Sequence, residues 1–596
     1  MCGIAGSINF EVDIKKLKKD LYHRGPDEFG KIKYKNCTLF HFRLAIQDIQ
    51  NGHQPFSIGN YVIVFNGEIY NHLELRKMCR YNFKTRSDTE TLLAMYIEYG
   101  SKMFDYIDGM FAFAILDKEK NTLFFARDRA GKKPLYFYKK NNIFFFASEL
   151  NAIKNQFVLD INEDAISSYL RCGFFFSSYT PYKDIIEAKG GYFYELDINS
   201  LILKEEKYFF LKKFYEKEKI TNKDEALRLL DEALHKSVKD RIESSDLEVG
   251  AFLSGGIDSS LIVAIASSYK SKLNTFTVKF SGDYDESYLA KMTAKKYNTN
   301  HTEIEIDINL KRDIENILLN YGEPFMDSSA IPSYYVSKEA KKYATVILNG
   351  DGADELFGGY RRYVPIKNNW VKIAKYLSFI LPLLPKPHNK KSFYNYIYRL
   401  LSFSKKEGID FYLSATTDVF EDVLTFRKNY IIDEMDKFIS SIKLDSLSKM
   451  LYLDFNILFF SDLLVKMDIA TMSNSLEVRS PFLSKYILEL APRLDNSLKI
   501  KNSITKYILR ELAKKYLPKT LINQPKRGFE VPLKDWVNND LKEIIFDSLK
   551  KGCYSENFIN REFIDKILYK KIDVSEEKRA KMLWAMFCLE VWRKNQ

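Results

Sequence analysis

Two glycines flanked by hydroxyls and an acid lie in the stretch Leu247–Ser260. Leu247–Leu253 is mostly apolar and predicts a buried strand, whereas Ile257 onward has the apolar spacing of a buried helix. Gly255 and Gly256 permit a tight turn between the two. A strand, a Gly-rich turn and a helix N-terminus together present free backbone N–H groups and the positive end of the helix dipole. This arrangement predicts a binding site for a polyanion.

The side chains of this turn favour a phosphate that is bound together with a metal ion. Asp258 would repel a bare phosphate, but Mg²⁺ is commonly held by one or two carboxylates and by substrate oxygens. Ser254 and Ser259 add hydroxyl donors. The turn lacks the GxxxxGK[ST] spacing, and no Lys follows the glycines, so a kinase-type P-loop is excluded. A turn that only packs well is the alternative, and the Ser and Asp side chains argue against it.

Alternating strands and helices follow the turn. Strands are predicted at 275–280, 302–306 and 344–348, with helices at 285–297 and 333–343. This alternation predicts a doubly wound parallel sheet with its ligand at the carboxyl ends of the strands. Directly after the last strand, NGDGADELFGGY places Asp351, Asp354 and Glu355 among four glycines. These carboxylates could coordinate a metal or supply a base. A flexible acidic loop is the alternative, but the apolar Leu356 and Phe357 favour burial.

The bulk composition is that of a globular chain of two or more domains, with 596 residues and 46% apolar residues. The charge excess of 91 − 79 = 12 is mild, and the sequence shows no concentrated basic stripe, so no nucleic-acid partner is expected. The longest apolar run, Tyr376–Leu384, is about half of a membrane span. No signal peptide and no membrane association are expected. Six scattered cysteines are typical of a reducing cytoplasm and exclude a CxxC zinc site.

The first two hundred residues form a separate α+β unit. Short strands are predicted at Tyr61–Phe65, Phe111–Leu116, Leu123–Ala126, Leu135–Tyr138 and Ile143–Ala147. A helix is predicted over Ser87–Ile107, with Ser87 and Glu90 in a capping-box pattern. A charged segment precedes the amphipathic helix Lys223–Ile242. We therefore predict domains at 1–205 and 223–596, joined by a linker at 206–222.

The chemistry of the first unit begins at Cys2. Removal of Met1 would leave Cys2 with a free α-amine of pKa about 7.7–8.0, which can take the proton of the thiol. The thiol would then be a nucleophile that needs no histidine. Taken alone, an incidental Cys remains the better interpretation of this position.

Five motifs in order accompany Cys2: MCGIAG, YHRGPDEFG, HFRLAIQD, FNGEIYNH and RSDTE. Together they resemble the glutaminase domain of class II glutamine amidotransferases, an N-terminal-nucleophile hydrolase fold with an αββα sandwich. The resemblance implies that Cys2 is the nucleophile and that Asn66 and Gly67 form the oxyanion hole. It places Arg43 at the α-carboxylate of glutamine, and Glu68 and Asp88 near its α-amino group.

Structural alternatives remain for single members of this set. Asp88 could favour the N-terminus of the helix that begins there, and both roles can coexist. Asn66–Glu68 could be an ordinary hairpin turn. His23 and His41 are interpreted as structural, because the free amine already supplies the base.

The second half extends the resemblance. SGGIDSS (254–260) is similar to the pyrophosphate-binding loop of the N-type ATP pyrophosphatases. With TFTV, NGDGADELFGGY, LVKMDIATMSNSLEVRSPFL, TKYILRE and QPKRGFEVPLKDW, residues 1–540 resemble the glutamine-hydrolysing asparagine synthetases. The resemblance implies an ATP site formed by Leu253, Ser254, Gly255, Gly256, Asp258, Ser259, Val278, Asn349 and Gly350. It also implies a metal, Mg²⁺, at Asp258 and Asp354, and Lys506 at the charge of the adenylate or pyrophosphate.

Two positions depart from the pattern of this family. Asp351 stands where the best-known members carry Glu as a base for ammonia, and its side chain is shorter by one C–C bond of about 1.5 Å. Ser484 follows SPFL where Asp is usual. The helical tail beyond Trp536 gives no functional signal.

The resulting hypothesis is a two-site ligase that acts on glutamine, aspartate and ATP. Ammonia released at Cys2 attacks β-aspartyl-AMP to give asparagine, glutamate, AMP and pyrophosphate. The alternative keeps this mechanism with another carboxylate acceptor, such as a uronic acid of a surface polysaccharide. A non-enzymatic scaffold is disfavoured because Cys2, Arg43, Asn66 and Asp88 are all present. A homodimer is compatible with the sequence, which does not specify an oligomeric state.

Overall fold

The computed structural model describes residues 2–279, 285, 287–305, 310–385, 387, 392–417, 419–420, 429–524 and 531–596. Parts of four predicted segments lie outside these residues: Phe280, Glu286, Ile306 and residues 525–530 of the QPKRGFEVPLKDW motif.

Twelve strands of the N-terminal half form two antiparallel six-stranded sheets. The strands are β1 (Gly3–Ile8), β2 (Glu28–Tyr34), β3 (Cys37–Arg43), β4 (Phe56–Ile58), β5 (Tyr61–Ile69), β6 (Gly109–Asp117), β7 (Thr122–Arg127), β8 (Tyr136–Lys140), β9 (Ile143–Ala147), β10 (Ile185–Glu187), β11 (Tyr192–Asp197) and β12 (Leu203–Lys207). The first sheet has the order β10-β8-β9-β1-β3-β2 and the second the order β12-β11-β7-β6-β5-β4.

The two sheets pack face to face, with helices on the outer faces. The helices of this half are α1 (Ile14–Leu21), α2 (His72–Arg76), α3 (Asp88–Tyr99), α4 (Leu150–Lys154) and α5 (Glu163–Cys172). Ile4 and Leu39 of the first sheet meet Val64 and Ala114 of the second in a buried core. On the far side of the second sheet, Leu92 of α3 closes another apolar layer. The expected αββα sandwich is confirmed.

The C-terminal half contains a parallel sheet of five strands in the order β15-β14-β13-β16-β17. These strands are β13 (Val249–Phe252), β14 (Asn274–Lys279), β15 (Asn300–Glu305), β16 (Val346–Leu348) and β17 (Glu477–Arg479). The chain extends from β13 to one side of the sheet and then returns to β16 on the other. The loops after β13 and β16 therefore lie side by side at the switch point, where open α/β sheets bind their ligands.

Helices surround this sheet and form most of the remaining chain. They are α6 (Leu211–Glu216), α7 (Lys223–Glu243), α8 (Ile257–Ala266), α9 (Ser287–Tyr297), α10 (Leu310–Leu319), α11 (Ala330–Ala340), α12 (Ala353–Phe357), α13 (Tyr363–Lys367), α14 (Trp370–Leu377), α15 (Phe393–Ser404), α16 (Gly408–Thr416), α17 (Tyr430–Ser441), α18 (Ser446–Asp454), α19 (Leu464–Met472), α20 (Lys485–Leu490), α21 (Asn496–Lys499), α22 (Tyr507–Tyr516), α23 (Lys519–Ile522), α24 (Leu533–Asp535), α25 (Lys542–Ser548), α26 (Arg561–Leu568) and α27 (Glu576–Lys594). Among the described residues, no helix has the length and apolar character needed to cross a membrane.

In the first domain, one structural alternative and one local prediction are wrong. Asn66–Glu68 is not a hairpin turn, because β5 continues through it to Ile69 and pairs with β6. Ser87 does cap α3, accepting from the Thr89 N–H at 3.2 Å, but Glu90 does not complete a capping box. Its carboxylate instead accepts from the backbone of residues 84 and 85. The nearby loop therefore competes successfully for the partner that a capping box would use.

A long helical segment connects the two halves of the molecule. α18 continues through a π-helix, Phe455–Leu463, into α19. Asp468 of α19 is buried and pairs with Arg24 at 2.8 Å and with Lys133 at 2.8 Å, both from the N-terminal half. Glu149 also pairs with Arg24, at 2.7 Å. Arg24 and Lys133 are thus both paired with Asp468 across the boundary between the two halves. Their charges hold the pKa of Asp468 well below its usual range, against the effect of burial.

We expect Asp468→Asn to lower the free energy of unfolding by about 3–5 kcal/mol, because it leaves two buried cations with less compensation. The denaturant midpoint of the full chain measures the effect. Asp160→Asn is the control, since Asp160 forms an exposed pair with Lys140 and its loss should leave the midpoint unchanged. Equal midpoints for both variants would contradict this expectation.

Candidate active sites

Cys2 immediately precedes β1 and is buried beside Asn66 of β5. The backbone N–H of Cys2 donates to Asn66 Oδ1 at 3.1 Å. This contact orients the buried amide, and Asn66 Nδ2 has no hydrogen-bond partner among the described residues. At the next position, a Cβ on Gly67 would lie 2.1 Å from the carbonyl oxygen of Met110. The close pairing of β5 with β6 therefore requires glycine there, and the Gly67 backbone lines the same pocket as Cys2.

A single pocket collects the predicted glutamine-binding side chains around the thiol. Its lining includes Cys2, Arg43, Gly67, Glu68 and Asp88, while Asn66 lies alongside. Further lining residues are Leu44, Ile46, Gln47, Gly52, Gln54, Phe65, Ser87, Thr89 and Glu477. The structure thus brings Cys2 together with residues from β3, β5 and α3, of which Asp88 is the most distant at 86 positions, counted as 88 − 2.

The buried guanidinium of Arg43 is held in one orientation by the loop that follows β3. It donates to the carbonyl oxygens of Asp48 at 2.8 Å and Ile49 at 3.0 Å, and it lies 3.3 Å from Glu28. A Cβ on Gly52 would approach Arg43 Nη2 to 2.6 Å, so the loop packs closely on the guanidinium. A cation fixed in this way can receive a carboxylate without reorganising.

Glu68 and Asp88 place two buried carboxyl groups in the same pocket. Burial raises the pKa of Asp88 to about 6, although the Ile69 N–H donates to it at 2.9 Å. Burial, together with the charge of Asp88, also raises the pKa of Glu68 well above its usual range, and Arg479 partly offsets this. Glu68 Oε1 has no partner among the described residues. The pocket is therefore suited to an ammonium group, which would relieve the repulsion between the two carboxylates.

Among the described residues, no histidine lines the pocket that contains the Cys2 thiol. Burial lowers the pKa of His41 to about 3, so its ring is neutral and donates to the Phe65 carbonyl at 3.1 Å. His23 contacts Glu149 at 2.9 Å. Burial raises the pKa of the Cys2 thiol, and the Leu44 N–H and the Arg43 charge oppose this rise. The thiol thus needs a base, and the described pocket offers it no histidine.

Two residues of β17 reach this pocket from the C-terminal half. Glu477 lines the pocket beside Cys2. Arg479 is fully buried and donates to Glu477 at 2.6 Å and to Glu68 at 3.0 Å. It also binds the carbonyl of Arg241 and the hydroxyl of Ser244, both at 2.7 Å. Neither Glu477 nor Arg479 was predicted from the sequence as a site residue. The sequence does contain an indication of their role. Glu477 and Arg479 are charged residues within the largely apolar segment LEVRSPF, and charged residues are unusual in a buried strand.

We call the turn after β13, residues Ser254–Ser259, the cradle. Leu253 is buried, and its N–H donates to the Phe276 carbonyl at 2.8 Å, which places it beside the half-buried Val278 of β14. The hydroxyls of Ser254 and Ser259 are 3.1 Å apart. Two glycines complete the turn: Gly255 has a φ of +75°, and Gly256 is the N-cap of α8. The N-terminus of α8 therefore carries no capping side chain, and its first N–H groups remain available to an anion.

The two carboxylates predicted to bind metal meet at one lysine. Lys506 Nζ lies 2.5 Å from Asp258 and 2.7 Å from Asp354. Lys506 is buried and has a φ of +52°, and a Cβ on Gly359 would come within 2.3 Å of its Cε. Asp258 Oδ1 has no partner among the described residues. The lysine is therefore part of a closely packed ionic cluster with the two carboxylates.

This donor set is compatible with Mg²⁺ that is shared with phosphates. The described residues contain no group of three or more His, Cys, Asp or Glu side chains that could hold a metal. Two carboxylates, one of them with an unpartnered buried oxygen, match a site that substrate oxygens complete.

The loop after β16 packs directly on the cradle. A Cβ on Gly350 would lie 3.0 Å from the Cβ of Asp258 and 3.2 Å from the N of Ser259. Asn349 is buried and donates to Asp351, whose charge partly offsets the effect of burial, which lowers the pKa of Lys132 in the N-terminal half. Asn349 Oδ1 also accepts from Ser480 at 2.7 Å, and Lys132 of the N-terminal half donates to Ser480 at 2.5 Å. Asp351 therefore lies at the end of a polar chain that crosses the domain boundary.

Glu355 is the third acidic residue of this loop. The sequence indicated only that the three carboxylates could bind a metal or act as a base, and it gave Glu355 no specific role. It is buried and accepts from the Tyr360 hydroxyl. Burial, followed by the neighbouring charge of Asp354, raises its pKa to about 7. A carboxyl group of that pKa can hold or release a proton at physiological pH.

A thiol pocket of this kind on an αββα sandwich, joined to a parallel sheet with a phosphate cradle, defines a glutamine amidotransferase coupled to an ATP pyrophosphatase. Residues 1–209 match the model of the glutamine amidotransferase domain, and residues 229–594 match the asparagine synthase model. The chain belongs to the asparagine synthase family. This membership confirms the expected class of enzyme, the ATP-dependent, glutamine-hydrolysing asparagine synthetases.

Curated relatives support this assignment over nearly the whole chain. Asparagine synthetase [glutamine-hydrolyzing] 1 of Bacillus subtilis is 32% identical, covering 99% of this chain and 96% of that protein. Asparagine synthetase 3 of the same organism is 29% identical over 89% of this chain and 87% of its own length. Asparagine synthetase B of Escherichia coli is 32% identical over 60% and 65%. A solved glutamine phosphoribosylpyrophosphate amidotransferase of B. subtilis covers 48% of this chain and 68% of its own, at 16% identity and a TM-score of 0.28, which is too low to support an argument.

We expect Gly359→Ala to impair the ATP-dependent reaction much more than the hydrolysis of glutamine. The new Cβ would lie 1.7 Å from Asp354 Oδ1 and 2.3 Å from Lys506 Cε, so the ionic cluster must move. Pyrophosphate release should fall on the order of 100-fold, as expected for misplaced catalytic groups. Glutaminase activity of the same variant should persist. Gly552→Ala is the control, because its Cβ would meet nothing within 4 Å and would introduce only the backbone strain of a φ of +89° outside the cluster. Unchanged pyrophosphate release in Gly359→Ala would contradict the role of this cluster.

Proposed function

We propose that this chain makes asparagine by releasing ammonia at Cys2 and consuming it at the cradle around Ser254–Ser259. The supporting observation is that strand β17 and the residue after it, Ser480, lie between the two sites and contact both. Glu477 lines the Cys2 pocket, while the Arg479 carbonyl accepts from the Asn349 N–H at 3.0 Å. Four residues, 477–480, therefore contact both sites, which is the arrangement that transfer of a reactive intermediate requires.

At the first site, we assign Cys2 as the nucleophile, with its free amine as the base after removal of Met1. The thiolate attacks the side-chain carbonyl of glutamine, ammonia leaves, and water later releases glutamate from the thioester. Asn66 Nδ2 and the Gly67 N–H stabilise the oxyanion. Arg43 binds the α-carboxylate, and Glu68 with Asp88 binds the α-ammonium group. The unpartnered Nδ2 and the repelling carboxylates described above support these roles.

At the second site, the β-carboxylate of aspartate attacks the α-phosphorus of ATP and breaks the bond to the β-phosphate. Ser254, Gly255, Gly256 and Ser259 bind the pyrophosphate at the N-terminus of α8. Leu253 and Val278 border the adenine, and Asn349 with Gly350 faces the nucleotide. Mg²⁺ held by Asp258, Asp354 and phosphate oxygens would neutralise charge on the leaving pyrophosphate.

Ammonia then attacks the carbonyl of β-aspartyl-AMP, and AMP leaves. Lys506 neutralises negative charge on the adenylate or the leaving pyrophosphate. Asp351 accepts the proton that the attacking nitrogen loses. Asn349 donates to its carboxylate and so restricts the orientation of this shorter side chain. Burial lowers the pKa of Lys132, on the same polar chain, to about 8, so this lysine exchanges protons readily near neutral pH.

We propose the domain division 1–205, 206–222 and 223–596. Every strand of the two antiparallel sheets ends by Lys207, and the parallel sheet begins at Val249. α6 occupies part of the intervening segment, and α7 begins at Lys223. We also propose a cytoplasmic enzyme, in keeping with six cysteines that are scattered along the sequence without paired spacing.

The overall proposal is tested with the full chain, glutamine labelled with ¹⁵N in its amide, aspartate, ATP and Mg²⁺. The expected products are AMP, pyrophosphate and ¹⁵N-labelled asparagine. Glucuronate and galacturonate in place of aspartate should give no pyrophosphate. Release of ADP, or faster turnover with a uronate, would exclude the proposed reaction.

Cys2→Ala should abolish glutamine-dependent synthesis while synthesis from ammonium chloride continues. Cys79→Ala, which removes a free and half-buried thiol elsewhere, should retain both activities. Mass spectrometry of the active enzyme should find Cys2 at the N-terminus. Fully active enzyme that retains Met1 would show that the amine is not the base.

The glutamine KM should rise as the pH falls through about 6. The raised pKa of Asp88 means that its carboxyl becomes protonated below about 6, where an ordinary Asp of pKa 3.8 would still be charged. The protonated form no longer attracts the substrate ammonium. Asp88→Asn should raise the KM about 30-fold, equivalent to about 2 kcal/mol, and remove this pH dependence. A KM that stays constant between about pH 5 and 7 in the unmodified enzyme would contradict the assignment.

A further inference from the structure

A helical arm follows the loop after β16 in the sequence of the synthetase half. It consists of α14, the 3₁₀-helix Ser378–Leu383 and α15, and it begins ten residues after Tyr360. α14 and α15 pack against each other. Ala374 is the one buried residue of α14, and α15 buries only Leu401 and Ser404. Most of the arm's surface therefore faces solvent.

The exposed surface of the arm is strongly apolar. Six large side chains are at least 47% exposed: Ile373, Tyr376, Leu377, Phe379, Leu383 and Phe393. Tyr376 and Leu383 reach 84% and 83%. Monomeric soluble proteins rarely expose contiguous apolar patches of this kind unless something binds them.

The same region carries nearly the whole net charge of the chain. Residues 361–406 contain eleven Lys and Arg and neither Asp nor Glu, against a chain total of +12. Eight of these basic residues lie among the described residues. Arg362 pairs with Asp454 and Lys375 with Glu407, both outside the stretch. The expectation that the sequence has no concentrated basic region is therefore wrong, because a count over the whole chain hides a local excess.

Apolar and aromatic side chains next to lysines match the surface of an anionic bilayer. On α14, Ile373 and Leu377 are one turn apart, while Lys372 and Lys375 lie on the other flank. Trp, Tyr and Phe are enriched where acyl chains meet headgroups, and basic residues are attracted to anionic lipids. Helices of 8 and 12 residues are too short to cross the bilayer, so they would lie in its interface.

Other occupants fit these observations less well. A symmetric dimer through the arm would place two identical basic surfaces against each other, which like-charge repulsion disfavours. A nucleic acid would use the lysines, but it would leave Ile373, Leu377 and Leu383 exposed to water.

We propose that the helical arm docks this enzyme on the surface of a membrane that contains anionic lipids. The exposed apolar side chains enter the boundary between headgroups and acyl chains, and the lysines contact lipid phosphates. Docking places the nucleotide half of the enzyme, which carries the arm, nearest to the bilayer.

The test is co-sedimentation of the full chain with phosphatidylcholine vesicles that contain about one third phosphatidylglycerol, against vesicles of phosphatidylcholine alone. We expect binding to the anionic vesicles, much weaker binding to the neutral ones, and loss of binding at about 0.5 M NaCl. The variant Phe379→Ser/Leu383→Ser/Phe393→Ser and the variant Lys372→Glu/Lys375→Glu should each bind about tenfold more weakly or less. Both should retain synthesis of asparagine from ammonium chloride.

The matched control is Leu73→Ser/Val158→Ser/Ile202→Ser, which removes side chains that are 60%, 97% and 57% exposed in the N-terminal half. It should bind like the unmodified enzyme. The proposal is overturned if the unmodified enzyme ignores both vesicles or if the Phe379 triple variant binds undiminished. It is equally overturned if that variant instead converts a dimer to a monomer in sedimentation velocity, or if the arm binds homopolymeric RNA and not vesicles.

Discussion

The architecture depends on one guanidinium enclosed between two carboxylates. Arg479 of β17 contacts Glu477 on its own strand and Glu68 of β5 in the other domain, and no part of it reaches solvent. A buried charge of this kind persists only with complete pairing, because an unpaired member would be strongly destabilising. The contact therefore fixes how the two domains sit against each other. It does so with Glu68, a side chain that also faces the thiol pocket.

This shared side chain has a consequence for control of the reaction. If Arg479 shifts, Glu68 loses its cation, its pKa rises further, and the pocket loses attraction for an ammonium group. Arg479 is also joined by its carbonyl to Asn349, beside Asp351. Changes at the nucleotide loop can thus reach the thiol pocket through a single short strand. The parallel chain from Lys132 through Ser480 to Asn349 provides a second connection of the same kind.

The sequence predicts what is encoded in contiguous segments. Strand, turn and helix at Leu247–Ser260 follow from local apolar spacing and two glycines, and the structure reproduces them at β13 and α8. The αββα sandwich and the parallel sheet follow from the same kind of pattern. Cys2 could be connected with Asn66 only through the resemblance of ordered motifs, because no local signal joins strands of different sheets.

The remainder depends on pairs that are distant in sequence. Arg479 and Glu68 are 411 positions apart, and periodicity carries no information about such a pair. Glu90 illustrates the same limit at short range. Its spacing from Ser87 predicts a capping box, but the backbone of the loop at 84–85 offered two N–H donors, and the carboxylate binds those. The ion pairs of Lys506 with Asp258 and Asp354 are a further case, because the two carboxylates come from separate loops.

The π-helix Phe455–Leu463 restricts how this chain can vary in length. It lies between α18, which packs within the C-terminal half, and α19, whose Lys466 contacts Asp327 while Asp468 faces Arg24 and Lys133. Each residue of an α-helix turns the chain by about 100° and advances it by about 1.5 Å. One residue inserted into or deleted from the α-helical turns beside the π-helix would rotate everything downstream by that angle. Asp468 would then point away from both cations, so insertions and deletions that surface loops accept freely should be absent from this segment in functional relatives.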